Sequence, residues 1–214
     1  MPIERIVPTP RGDARLLVRR AKRPIATLVL THGAGGGVDA PDLVRLARTL
    51  PQQDVSVTLV EMPWRVAGKK LAPAPAVIDE CYLAVLDNMR TRSPLVLGGR
   101  SAGARSSCRI ARSVGARGVL ALSFPLHPPG RPEKSRLEEL RGSRVRTLVI
   151  QGERDPFGTP EEFPSDLDLA VVPAADHSLK VPKSGPLSQD EALAVVLEAT
   201  LEWVVREIAG NRND

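Results

Sequence analysis

The chain has 214 residues, 42% hydrophobic but only 3% aromatic, so one core of aliphatic side chains is expected, with residues 1–214 as a single domain. No apolar run is long enough to span a bilayer, and Met1-Pro2-Ile3-Glu4-Arg5 lacks the apolar stretch of a signal peptide, so a cytoplasmic protein without a membrane partner is expected. The net charge of +5 is spread over separate elements, with acids between the arginines and no interleaved aromatics, so no nucleic-acid partner is expected either.

Residues 3–7 and 14–19 flank Pro8-Thr9-Pro10-Arg11-Gly12-Asp13, which predicts an antiparallel hairpin. Residues 26–31 form a continuous apolar run of the kind found in fully buried parallel strands. A helix is predicted over 41–50, where Leu43, Leu46, Ala47 and Leu50 share one face. A strand follows at 55–60. Residues 65–75, with Gly68, Pro73 and Pro75, read as a loop before a helix at 76–90. A short strand at 95–98 runs into Gly99-Arg100-Ser101-Ala102-Gly103, and a helix of small residues is expected over 102–114. Strands are predicted at 118–123, 145–151 and 168–172, with an irregular Pro-rich segment at 125–132 and a short helix at 136–140. The last element is a helix over 188–208, started by the capping box of Ser188 and Glu191. Alternating strands and helices after a hairpin imply a mainly parallel sheet covered on both faces, in three layers. Such sheets bind ligands at the carboxyl ends of their strands.

The suggestive residues all fall just after predicted strands. A serine at the tip of a strand-to-helix turn needs glycine on either side, because side chains there collide with strand and helix. Gly99 and Gly103 supply this around Ser101, and the following helix aims free N–H groups at the site. G-x-S-x-G is a common pattern in itself; the strand before it and the helix after it give it weight. His32-Gly33-Ala34-Gly35-Gly36-Gly37 follows the first long strand and can bring backbone close to a substrate. An acyl-transfer site needs two N–H donors for its oxyanion, and Ala34 and Ala102 are the expected pair. A phosphate-binding loop is the rival reading, but neither G-x-G-x-x-G nor the P-loop pattern fits. His32 is expected to hold the loop structurally.

A serine nucleophile needs a base, and the base needs an orienting carboxylate. Asp155 in Gly152-Glu153-Arg154-Asp155-Pro156 and His177 in Ala175-Asp176-His177-Ser178 follow Ser101 in that order. Glu153 competes as the acid. Asp176 is a poorer orienter, because neighbouring side chains in extended backbone point apart. His127 ranks second as the base. Trp64, Phe124, Leu126, Phe157 and Leu179, with Gly33 and Gly35, are candidate substrate contacts, and Arg100 and His127 are candidate binders of a substrate carboxylate. Cys81 and Cys108 read as buried thiols, and no metal or cofactor is implied.

Together, Leu30-Thr31-His32-Gly33-Ala34-Gly35-Gly36, Gly98-Gly99-Arg100-Ser101-Ala102-Gly103, Phe124-Pro125-Leu126-His127-Pro128-Pro129-Gly130, Gln151-Gly152-Glu153-Arg154-Asp155-Pro156-Phe157-Gly158 and Asp176-His177-Ser178 resemble the KANL3/Tex30-like branch of the α/β-hydrolases. More distantly the chain resembles dienelactone hydrolases. The resemblance implies the α/β-hydrolase fold with Ser101, Asp155 and His177 as triad, and no substrate. The chain has no long insertion to form a large lid. The expected activity is attack on a small-molecule ester or thioester through an acyl-enzyme. A non-catalytic interaction module on the same frame is the alternative, and the oligomeric state is left open.

Overall fold

The computed structural model describes residues 2–210. The expected hairpin pairs β1 (Ile3–Thr9) antiparallel with β2 (Gly12–Arg19). Both strands reach further into the turn than the apolar residues predict, because main-chain ladders rather than apolar side chains close a hairpin. Gly12 takes φ 112° to make the turn.

The remaining strands are β3 (Ala26–Thr31), β4 (Val55–Glu61), β5 (Leu95–Arg100), β6 (Gly118–Leu122), β7 (Arg146–Gly152) and β8 (Asp168–Val172). They lie in one sheet, ordered β1-β2-β4-β3-β5-β6-β7-β8. From β4 to β8 every pairing is parallel, and β2 joins the hairpin to β4 antiparallel. All six residues of β3 and all five of β6 are buried, as strands covered on both faces must be.

Two helical layers cover the sheet. On one side α1 (Pro41–Thr49) and α6 (Gln189–Trp203) pack against Leu28, Leu30, Val96, Leu120 and Ile150. On the other, α2 (Pro63–Val66), α3 (Pro75–Asp87), α4 (Ala102–Ile110) and α5 (Leu137–Arg141) pack against Val29, Leu97, Val119, Ala121 and Val149. Alternate residues of each strand thus feed opposite layers. The mainly parallel, three-layer architecture with its N-terminal hairpin is the one expected. The connections hold only these helices and short 3-10 turns, so no inserted unit forms a lid among the described residues. No helix among them is long and apolar enough to cross a membrane.

Several elements differ from expectation. The segment taken for a loop from residue 65 is helical at its start, because Pro63 at the first helical position presets φ for α2. Helix α3 ends at Asp87, short of 90. Helix α4 ends at Ile110 rather than 114, and tight turns carry the chain to Gly115 at φ 67°. Helix α6 starts with the expected Ser188 and Glu191 box but widens after Trp203 into a π-helical segment over Val204–Ala209. Trp203 and Ile208 there press on Gly118, where a Cβ would come within 2.7 Å of the indole. Cys81 and Cys108 are buried free thiols, and burial pushes Cys108 up to about 12.

Candidate active site

Ser101 sits between β5 and α4 with φ 50° and ψ −109°, a conformation that L residues adopt only under constraint. Close packing of the turn supplies that constraint. A Cβ on Gly99 would lie 2.4 Å from the Thr31 carbonyl oxygen. A Cβ on Gly103 would lie 2.8 Å from the same oxygen and 2.9 Å from that of His32. The turn therefore presses against the end of β3, and only glycine fits at both positions.

The sheet order sets a distance problem for the other groups. Asp155 follows β7 and His177 follows β8, three strands from β5. With strands about 4.8 Å apart, β8 lies about 14 Å from β5. The loop carrying His177 must therefore lean back across β7. It passes over Gly152, where a Cβ would lie 2.6 Å from the carbonyl oxygens of Ala175 and Asp176. The imidazole then reaches both partners: Nε2 is 3.0 Å from Ser101 Oγ, and Nδ1 is 2.8 Å from Asp155 Oδ2.

Asp155 is fully buried, so its carboxylate needs donors. The Phe157 N–H donates to Oδ1 at 2.8 Å, and Gln151 Nε2 donates to Oδ2 at 2.9 Å. The ring of Phe157 lies over the imidazole of His177, centroids 4.2 Å apart. The competing acids have other work. Glu153 accepts from the Ala174 N–H at 2.5 Å, and Asp176 Oδ1 accepts from the N–H groups of Ser178 and Lys180. Both brace the loop and neither contacts the imidazole.

The glycine-rich loop after β3 comes back against the serine. A Cβ on Gly33 would lie 3.4 Å from Ser101 Cβ, whereas one on Gly35 or Gly36 would meet open space. Ala102 is the first residue of α4, so its N–H has no partner within the helix. The Ala34 N–H donates to no protein acceptor among the described residues. His32 holds this loop as expected: Nε2 accepts from the Met62 N–H at 3.0 Å, and Nδ1 contacts the Gly33 carbonyl at 2.8 Å. Burial lowers its pKa, in keeping with a neutral ring.

Several expected substrate contacts turn out to be core. Trp64, Phe124 and Leu126 are buried in the layer containing α3 and α4, and Leu179 in the layer containing α1 and α6. They stand at strand ends, as their sequence positions indicate, but their side chains turn inward. Phe157 is the apolar candidate left beside the imidazole. The two expected carboxylate binders are also engaged. His127 Nε2 meets Glu162 Oε2 at 2.8 Å, and Nδ1 meets the Pro128 carbonyl at 2.9 Å. Arg100 Nη2 donates to the His177 carbonyl at 2.7 Å, and its Nε lies 3.1 Å from Asp42 Oδ2. The sequence assigned no individual role to Gln151, Gly152 or Asp42. Asp42 left one signal: it stands four residues before Leu46, on the apolar side of α1.

Residues 24–205 match the family model described as an alpha/beta hydrolase domain. Among solved structures, the chain is similar to XC6422 from Xanthomonas campestris, described as an α/β serine hydrolase without lid, at 16% identity, 94% coverage of both chains and a TM-score of 0.71. It is similar to dienelactone hydrolase from Anabaena variabilis at 16% identity, covering 97% of this chain and 99% of that one, with a TM-score of 0.71. Est1E from Butyrivibrio proteoclasticus matches at 15% identity, 95% and 99% coverage, and a TM-score of 0.68. At such identities these likenesses speak for the fold alone.

Proposed function

The chain belongs to the alpha/beta hydrolase domain family, and from that membership we propose that it is a serine hydrolase of small esters or thioesters, with residues 1–214 working as one unit. The observation that carries the reading is the imidazole of His177, held between Ser101 Oγ at 3.0 Å and Asp155 Oδ2 at 2.8 Å. Those are hydrogen-bond distances for a nucleophile, its base and the base's orienter.

In this reading His177 Nε2 takes the Ser101 proton as Oγ attacks the acyl carbonyl. Asp155 fixes the tautomer with the Nδ1 proton and stabilises the imidazolium that forms. The N–H groups of Ala34 and Ala102 stabilise the oxyanion of the tetrahedral intermediate. Collapse expels the alcohol or thiol, which takes the proton from His177. Water, deprotonated by the same imidazole, then attacks the acyl-enzyme and releases the acid. The absence of a lid among the described residues and the open space at Gly35 and Gly36 favour small substrates that approach from solvent. The likeness to the KANL3/Tex30-like branch is part of this proposal and rests on the quoted sequence segments.

A fluorophosphonate probe and a panel of short esters and thioesters test it. Wild type should label and turn over. Ser101→Ala should not label, and its turnover should fall by about 10³-fold or more. Equal labelling of both proteins would remove Ser101 from the role, and no labelling or turnover by wild type would favour the non-catalytic module.

A further inference from the structure

We infer that Arg100 is a positioning residue: anchored on the buried carboxylate of Asp42, it holds the main chain of His177 so that the imidazole stays against Ser101. The inference rests on the triad reading above and extends it to the residues that keep the triad assembled.

The side chain of His177 has partners on both ring nitrogens, but a ring is only as well placed as the backbone that carries it. The His177 loop is laced mainly to itself and to the turn after β7. Asp176 takes the N–H groups of Ser178 and Lys180, and the Arg154 N–H donates to the Ala175 carbonyl at 2.9 Å. Gln189 of α6 also donates to the Leu179 carbonyl at 2.9 Å, and none of these bonds reaches β5. Arg100, the last residue of β5 and the neighbour of Ser101, spans that gap with its 2.7 Å bond to the His177 carbonyl. No other donor among the described residues reaches that carbonyl. A charged donor at this length makes one of the stronger bonds available to a carbonyl. One side chain thus ties the backbone next to the serine to the backbone that carries the histidine.

The far end of the link is equally specific. Asp42 lies in the first turn of α1 and is 1% exposed. Neither of its side-chain oxygens has an aligned hydrogen-bond donor among the described residues, so the 3.1 Å contact with Arg100 acts as an ion pair. Burial pushes the carboxyl pKa up, and the guanidinium first, then the main-chain N–H groups of Asp42 and Leu43, oppose that shift. A buried carboxylate with a single cationic partner fixes where that cation must stay. Two of the three guanidinium nitrogens, Nη2 and Nε, are already committed to the His177 carbonyl and to Asp42, which argues against the substrate-binding role expected from sequence.

The test compares wild type, R100K, R100M and the double variant D42L/R100M on a neutral short ester and on a carboxylate-bearing one, with thermal unfolding and amide hydrogen exchange over residues 174–180. In R100M, kcat should fall by about 30-fold with KM within about twofold, since misplacement of a catalytic group by a fraction of an ångström carries losses of that order. R100K should recover part of the loss. The double variant removes both buried charges, so its Tm should return toward wild type while kcat stays low. Exchange over 174–180 should rise in both R100M and the double variant. Should R100M fold poorly with Asp42 unpaired, the double variant carries the comparison. Recovery of wild-type kcat in the double variant would reduce Arg100 to a counter-charge for Asp42 and overturn the inference. So would a loss confined to KM for carboxylate-bearing esters, or unchanged exchange. If wild type neither labels nor turns over, the triad reading fails, and the exchange comparison still decides whether Arg100 holds His177.

Discussion

At the scale of single residues, the turn around Ser101 is built by exclusion. Gly103 has the Thr31 and His32 carbonyl oxygens within 3 Å of where a Cβ would stand, and both are main-chain atoms that cannot swing aside. Gly103→Ala should therefore cost about 1–3 kcal/mol, the usual range for forced overpacking, and a urea titration will measure it. Gly152→Ala makes a complementary case. Its methyl would push the Ala175–Asp176 backbone away from β7, so we expect a fall in kcat with little change in KM, read from ester hydrolysis. The importance of Gly99, Gly103 and Ser101 was legible in the sequence because the constraint is local to a strand-turn-helix. The buried support of Asp155 by Gln151 was not, since it requires knowing that the end of β7 meets the turn after it. The inward turn of Trp64, Phe124, Leu126 and Leu179 was hidden for a similar reason. A strand-end position fixes where a residue stands, not which way its side chain faces.

At the scale of elements, helix starts were easier to read than helix ends. Ser188 and Glu191 close a reciprocal box at the head of α6, and the Ser188 hydroxyl accepts from the Glu191 N–H at 3.3 Å. Ser188→Ala should destabilise by about 1 kcal/mol, visible as a lower Tm with ester kinetics unchanged. The end of α6 carries no such local signature. Where it widens at Val204, Trp203 and Ile208 seat on Gly118, a contact between segments far apart in sequence. Arg109 illustrates the same limit. It forks onto Asp79 of α3, at 2.6 and 2.7 Å, and also pairs with Glu139 of α5. In the sequence it is one basic residue among many.

At the scale of the molecule, two histidines other than His177 give stability opposite dependences on pH. Burial first of all depresses the pKa of His32, so its contribution is present above the ordinary value of about 6.5 and is lost as pH falls toward the folded value. The Pro128 carbonyl first, and Glu162 with it, raise that of His127. Its contribution is full below about 6.5 and is lost as pH rises through the folded value. Thermal unfolding from about pH 5 to 8 should show His32→Gln flattening the acid side of the stability curve and His127→Gln the alkaline side. Unchanged slopes in both variants would contradict these assignments.

The strand order also has a consequence in time. Ser101 and the loop at Gly33 belong to the middle of the sheet, whereas His177 arrives only with β8, at the edge and late in the chain. Parallel pairings between distant segments are slow to form. Helical circular dichroism can return early during refolding, but ester hydrolysis should stay silent until β8 has docked and its loop has crossed Gly152. The first turnover would then mark when the last strand joins the sheet.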